Sequence, residues 1–236
     1  MSCTSPEREP LPDTAASPPP DILYKYRGPC ELQIFKTGRI RFNLPSSFND
    51  TLDCFIPYAA PRTHFELYKQ LLQSRMTPNS YRIFCLSATS TSGLMWAHSA
   101  DGHRGFAVGF DAHHPFFSED GRCLRRVEYL SRPRVLGPSE NPDSSLPFAK
   151  STEWAYEKEW RCVKQVLPPV ESLNTPDDIV IPSAIVREVI LGQKSDPCLC
   201  QQIAEMSEER GFRPRFLKSQ HIAGAWNFEN DPSTRV

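Results

Sequence analysis

Short apolar stretches, separated by segments rich in Pro, Gly, Ser and Asn, constrain the fold of this chain most strongly. Stretches of this length and spacing predict strands, and few segments have the apolar periodicity of a helix. Strands and helices do not alternate regularly along the chain, and no segment repeats. This order argues against a parallel βαβ sheet. It predicts an α+β fold of about seven short, mostly antiparallel strands with flanking helices.

The apolar patterns place the individual elements. Turn-rich residues between 130 and 151 predict a long surface loop, and Asp196-Pro197 predicts the start of a helix that ends at Gly211. A further helix is predicted from Pro61, with apolar positions at helical spacing. The predicted strands are 22–27, 39–42, 81–86, 105–110, 124–129, 154–163, 186–191 and 213–217, with short helices at 32–36 and 93–98.

Length and composition set the domain limits and the class of protein. We expect residues 1–21 to be a disordered Pro/Ser-rich tail, 22–222 to be one α+β domain and 223–236 to be a C-terminal tail. Neither a signal peptide nor a membrane-length apolar run is found, so the sequence favours a cytoplasmic protein without a membrane partner. The 27 basic and 28 acidic side chains balance, which gives no strong signal of nucleic-acid binding.

Cysteine and histidine spacing gives little indication of a metal. The eight cysteines are scattered and are expected to be reduced thiols, and Cys198-Leu-Cys200 lacks the paired clusters of a zinc site. His98 and His103 flank a turn at Asp101. With Asp111 they offer an alternative function, a metal-dependent nuclease or hydrolase. The simpler interpretation is that these histidines fix the turn, and no metal is expected.

The segment Trp154–Val163 contains two glutamates and an arginine at alternate positions. In an extended strand, residues two apart share a face, so Glu157, Glu159 and Arg161 are predicted to point the same way. Tyr156, Lys158, Trp160 and Cys162 would then occupy the other face. A charged stripe of this kind is often only a solvated surface. Motifs at other positions of the chain suggest a functional site instead.

Five motifs in one order resemble the bacterial family known as domain of unknown function 2971. They are Tyr24-Lys-Tyr26-Arg27, Phe48-Asn49-Asp50 followed by Asp53, Phe84-Cys-Leu-Ser87, Met95-Trp96-Ala-His98 with His103-Arg-Gly105-Phe106, and Tyr156-Glu157-Lys-Glu159-Trp160-Arg161. The segments 179–182 and 186–192 also match, so the resemblance spans roughly residues 22–220. It implies a family but no activity.

A remoter similarity, to the ADP-ribosyltransferase superfamily, supplies a possible chemistry. In that superfamily a basic residue, a Ser or Thr and a Glu, often in a Glu-x-Glu pair, lie on successive strands; Arg27, Ser87 and Glu157-Lys-Glu159 follow this order. The similarity implies an ADP-ribosyltransferase-like fold and NAD as a substrate. The acceptor of ADP-ribose, a macromolecule, a small molecule or water, stays open.

The same similarity implies a role for each residue. Glu159 would stabilise the positive charge that develops on the ribose, and Glu157 would orient or deprotonate the acceptor. Arg27 would hold the pyrophosphate, with Ser87 adding a hydroxyl contact. Further NAD-binding or pocket candidates are Tyr24, Tyr26, Trp96, Arg161, Asn49, Asp50, His98 and His103.

Structural roles compete with these assignments. Arg27 pairing with Glu157 or Glu159 would make a buried ion network and leave no free cleft. Ser87 is also a plausible cap, Trp96 a core aromatic, and Asn49-Asp50 a turn-forming pair. A non-enzymatic interaction module is therefore the main alternative function. It predicts an exposed patch and no convergent polar pocket.

Overall fold

The computed structural model describes residues 18–54, 66, 80–133, 146–166, 176–223 and 228–231. Apart from Glu66, which is helical, the helix predicted from Pro61 lies outside these residues. Most of the predicted N-terminal tail also lies outside them. Within the described part of the chain, no helix has both the length and the apolar character needed to cross a bilayer.

The structure is a mixed α/β fold in which a large, mostly antiparallel sheet dominates and helices are few. Within the described ranges this sheet has eight strands, in the order β12-β11-β10-β4-β1-β3-β8-β5, of which β10 and β11 pair in parallel and the other neighbours pair antiparallel. Two small sheets pair β2 with β9 and β6 with β7. The strands are β1 Ile22–Arg27, β2 Arg39–Phe42, β3 Tyr81–Ser87, β4 Phe106–Asp111, β5 Arg122–Arg126, β6 Glu128–Leu130, β7 Ala149–Ser151, β8 Glu159–Gln165, β9 Asp177–Val180, β10 Val186–Leu191, β11 Arg215–His221 and β12 Phe228–Asp231.

The described residues thus contain more strands than the sequence pattern predicts. The additional strands β6, β7, β9 and β12 have three or four residues each. Stretches this short cannot establish an alternation, and two of them, β7 and β12, lie in segments predicted as a surface loop and as a C-terminal tail. Their partner strands define them: β6 pairs with β7, β9 with β2 and β12 with β11.

A capping residue marks one end of each of three α-helices. Helix α1 (Gln33–Thr37) stops at Gly38, whose φ of 66° is the left-handed conformation that glycine adopts without a steric cost. The Ser92 side chain accepts a hydrogen bond from the Met95 backbone N–H at the start of α2 (Gly93–Ser99). Asp196 caps α3 (Pro197–Glu209) in the same way.

The large sheet buries apolar side chains on both faces. Along β1, Leu23 belongs to the main core with Phe35, Phe84 and Phe110, whereas Tyr26 packs against Trp96 in a smaller cluster on the opposite face. Alternation along the strand accounts for this division. It also directs Lys25 and Arg27 to the face of Leu23.

The sheet opens between its two central strands. Strand β1 pairs with β4 at six register positions but with β3 only at Tyr24–Ser87. Further along β3, Asn43 takes the place of β1, because its backbone exchanges hydrogen bonds of 2.8 and 2.9 Å with Ile83. The divergence of β1 from β3 leaves space between them for a cleft.

The predicted strand over 154–163 is only partly correct. Residues Thr152–Glu157 form a 3₁₀ helix, Lys158 has a positive φ of 46°, and strand β8 begins at Glu159. Glu159 and Arg161 do share a face, and Trp160 and Cys162 pack into the main core on the other. Glu157 reaches the same site from the preceding turn and not from the strand.

Candidate active site

Five charged side chains converge where β8 begins. Arg161 and Glu159 come from β8, Glu157 from the 3₁₀ helix before it, Lys150 from β7 and Asp53 from the loop after β2. Each of the five except Glu157 is buried. Buried charges are stable in a protein only when they are paired and hydrogen-bonded, so the five must be considered together.

Arg161 is the centre of the group. Its guanidinium donates to both oxygens of Glu159, at 2.8 and 2.9 Å, and to both oxygens of Asp53, at 2.6 and 2.8 Å. A further hydrogen bond of 2.8 Å goes to the Pro147 carbonyl. The planar, five-donor guanidinium suits this arrangement of two bidentate carboxylates.

Lys150 connects the two glutamates. Its Nζ lies 2.6 Å from a Glu157 oxygen and 3.3 Å from a Glu159 oxygen, and Asp53 is 3.7 Å away. The ammonium also lies 4.6 Å from the centre of the Trp154 ring, a cation–π distance. The two carboxylates therefore share one lysine.

The surroundings shift the pKa values of the two glutamates in opposite directions. Burial alone would raise the pKa of Glu159, but the charge and hydrogen bonds of Arg161, followed by the charge of Lys150, outweigh it and lower the pKa to about 2. For Glu157 burial is the stronger effect, and it raises the pKa in spite of Lys150. Glu159 is therefore ionised at neutral pH, and Glu157 is the stronger base.

Both glutamates line a cavity of about 200 Å³ at the opening between β1 and β3. Of the Glu157 side chain 16% is exposed, against 5% for Glu159, so Glu157 is the more accessible carboxylate. Other lining residues are Tyr24, Lys25, Tyr26, Asn43, Phe48, Asn49, Asp53, Cys85, Ser87 and Lys150.

A second cavity of about 460 Å³ adjoins the first, and Lys25 and Asn43 line both. Its volume lies within the range of ~300–1,000 Å³ usual for small-molecule sites. Four cationic side chains, Lys25, Arg27, Arg39 and Arg41, surround it. We call the two cavities together the cleft; carboxylates outnumber cations in the smaller cavity, and cations outnumber carboxylates in the larger one.

The structure brings most of the predicted site residues to this cleft. Glu157, Glu159, Tyr26, Ser87 and Asn49 line the smaller cavity, and Arg27 lines the larger one. The predicted alternative in which Arg27 pairs with the glutamates is wrong. Arg27 instead contacts Glu31 at 3.3 Å, and Arg161 is the arginine of the buried network.

Other predicted residues have structural roles. Trp96 is fully buried and donates to the Ser90 carbonyl, so its ring is part of the core. Asp50 accepts a hydrogen bond from the Leu52 backbone N–H within a turn. The Ser87 hydroxyl donates to the Glu157 carbonyl at 2.6 Å, so it fixes the turn that carries Glu157.

The two candidate histidines are engaged elsewhere. His98 contacts the Tyr156 hydroxyl at 3.3 Å, whereas His103 packs between the rings of Trp96 and Phe228. Over the described ranges, no three His, Cys, Asp or Glu side chains are placed to share a metal ion. None of the seven cysteines within those ranges forms a disulfide bond.

Three charged residues of the smaller cavity, Lys25, Asp53 and Lys150, are not among the site candidates predicted from the sequence. Lys150 follows a Pro/Ser-rich segment that predicts a surface loop, yet it is only 8% exposed. In the sequence, Asp53 follows the Phe48-Asn49-Asp50 motif and Lys25 separates two tyrosines, and neither position by itself indicates a site. Their alternation with apolar residues in Phe148-Ala-Lys150 and Leu23-Tyr-Lys25 is too short a signal to predict burial.

Comparison with known proteins supports the first of the two resemblances. No curated protein and no solved structure matches the chain. Residues 95–162, which include most of α2, strand β4, Lys150, both glutamates and Arg161, match the family described as Protein of unknown function (DUF2971).

Proposed function

We propose that this protein is an ADP-ribosyltransferase-like enzyme that cleaves the nicotinamide–ribose bond of NAD and transfers ADP-ribose to an acceptor or to water. The observation that carries the proposal is the pair Glu157 and Glu159, which share Lys150 and line one cavity. The cationic cavity beside it supports a substrate that joins a ribose to a pyrophosphate. An ADP-ribosyltransferase-like fold is part of the same proposal.

Glu159 is suited to stabilise the transition state. When the C1′–N1 bond breaks, its electron pair leaves with nicotinamide, the pyridinium ring becomes neutral and positive charge develops on the ribose. A carboxylate that stays ionised beside that carbon stabilises the charge where it appears. The bonds from Arg161 fix the Glu159 carboxylate in one orientation, at the cost of part of its negative field.

Glu157 is suited to the second half of the reaction. An acceptor hydroxyl or a water molecule attacks C1′ as a proton leaves its oxygen, and a base must take that proton. Glu157 is the more exposed carboxylate, and burial raises its pKa. Two neighbouring carboxyl groups with pKa values displaced in opposite directions are a common basis for such a division of roles.

The experiment is a measurement of nicotinamide release from NAD by the purified protein, with and without cell extract as a source of acceptor. Glu159→Gln keeps the shape and removes the charge. Glu153→Gln is the control for the substitution itself, because Glu153 is an exposed glutamate on the 3₁₀ helix that precedes β8. Release by the wild type and the control but not by Glu159→Gln supports the proposal.

A wild-type protein that neither binds NAD nor releases nicotinamide, with or without cell extract, would contradict the proposal. It would assign the ion network a purely structural role and favour the interaction module. The metal-dependent hydrolase is not proposed, because His98 and His103 have separate aromatic partners in the structure.

A further inference from the structure

The larger cavity has an excess of positive charge. Lys25, Arg27, Arg39 and Arg41 line it together with a single carboxylate, that of Glu31. A concave site lined by several cations attracts anions more strongly than an isolated surface charge does. Which of the four cations are available to a ligand depends on their existing partners.

Two of the four cations are matched by carboxylates. Arg27 contacts Glu31, and Arg41 makes a bidentate pair with Asp178, with both distances 2.9 Å. Among the described residues, the Arg39 side chain donates one hydrogen bond, of 2.9 Å, to the neutral backbone carbonyl of Asp178. Its charge is therefore not compensated by this bond.

Lys25 is the fourth cation and lies where the two cavities meet. The closest contact described for its Nζ is the Phe84 ring, 5.6 Å away, and among the described residues it has neither a hydrogen-bond acceptor nor an ion-pair partner. Burial, followed by repulsion from Arg27, lowers its pKa. A buried ammonium without a hydrogen-bond acceptor has a cost in stability, and an anion bound beside it would compensate its charge.

We propose that Lys25 and Arg39 form a binding site for the two negative charges of a phosphate group, either the pyrophosphate of a dinucleotide or a terminal phosphomonoester. The two unmatched cations carry two positive charges, the same number as the negative charges of either group. The side chains of Gln33 and Asn43 line the same cavity and supply uncharged polar groups beside them. That the natural ligand is a dinucleotide rests on the proposed function, whereas the anion site itself does not.

The test is calorimetric titration with inorganic pyrophosphate. Lys25→Met and Arg39→Gln are each expected to raise the Kd about tenfold or more, since each removes a charge-assisted contact. Lys36→Met is the matched control, because Lys36 is an exposed lysine on α1 that does not line the cavity. Lys25→Met is also expected to raise the thermal midpoint of the ligand-free protein, since it removes an unpaired charge.

Two results would overturn the proposal: no binding of pyrophosphate by the wild type at millimolar concentration, or equal weakening in all three variants. If Lys25→Met fails to fold, the exposed Arg39→Gln decides alone. ADP-ribose and AMP then distinguish a pyrophosphate diester from a phosphomonoester. Pyrophosphate binding without nicotinamide release would retain this site and reject the NAD chemistry.

Discussion

Asp53 and Arg161 lie 108 positions apart in the chain and form a bidentate ion pair with N–O distances of 2.6 and 2.8 Å. The side chains are 2% and 0% exposed. The pair attaches the loop after β2 to the centre of β8, on the same guanidinium that holds Glu159. The candidate site therefore depends on a contact between distant parts of the chain.

Asp53→Asn is expected to lower the free energy of unfolding by about 3–5 kcal/mol, because it removes one of the two carboxylates paired with the buried Arg161 and places an amide NH₂ against the guanidinium donors. Urea unfolding measures the change. Asp178→Asn is the control, since its pair with Arg41 has the same bidentate geometry but is 38% and 52% exposed. The control should lose less than about 1 kcal/mol. Equal losses in the two variants would contradict a special role for the buried pair.

The stability of the protein should fall in acid because of Glu159. Its pKa is about 2 in the folded protein and 4.5 as an ordinary value, so the folded state binds the proton less tightly. The stabilisation is therefore complete above about pH 4.5 and is lost as the pH falls towards 2, by an amount on the order of 3 kcal/mol. The pKa of Glu157 is raised on folding, so its contribution to the free energy of unfolding has the opposite sign and changes at pH values above this window.

The measurement is the unfolding free energy between about pH 5 and pH 2.5, for the wild type and for Glu159→Gln. The variant has no carboxyl group at this position and should show a shallower decline across the window. Parallel curves for the two proteins would show that other carboxyl groups cause the loss of stability in acid.

The two glutamates should separate in their effects on stability and activity. Glu159 accepts two hydrogen bonds from the buried Arg161, whereas Glu157 is partly exposed and contacts Lys150. Glu159→Gln is therefore expected to lower both the unfolding free energy and nicotinamide release. Glu157→Gln should reduce transfer or hydrolysis by about 10²–10⁴-fold with a much smaller loss of stability. A Glu157→Gln variant with full activity would remove Glu157 from the proposed mechanism.

The sequence predicts the elements of this fold better than it predicts their contacts. Strands β1, β2 and β10 begin and end at the predicted residues, because their apolar stretches are bounded by clear turn residues. Glu159 and Arg161 were placed on one face by the same local alternation. Local patterns of this kind need only the neighbouring residues.

The remaining features depend on long-range contacts. Glu157 is not part of the predicted strand because Lys158, the residue after it, adopts a left-handed conformation. A lysine gives no sign of this conformation in a sequence. Lys150 and Asp53 are buried by partners that lie far from them in the chain or across a turn. The opening between β1 and β3 follows from Asn43 replacing β1 beside Ile83, a register that no local pattern specifies.

Gly105 holds the end of β1 in place beside the cleft, and Gly105→Ala should destabilise the protein. An added Cβ would overlap the backbone carbonyl of Arg27 and approach the Gly28 Cα to 3.0 Å. Backbone atoms cannot rotate away as a flexible side chain does, so the end of β1 must shift, at a cost of about 1–3 kcal/mol or more. Gly28→Ala is the control, because its Cβ would lie 3.4 Å from a Glu31 oxygen, an ordinary contact. Urea unfolding should show a loss only for Gly105→Ala; equal stability of the two variants would mean that the strand end moves freely.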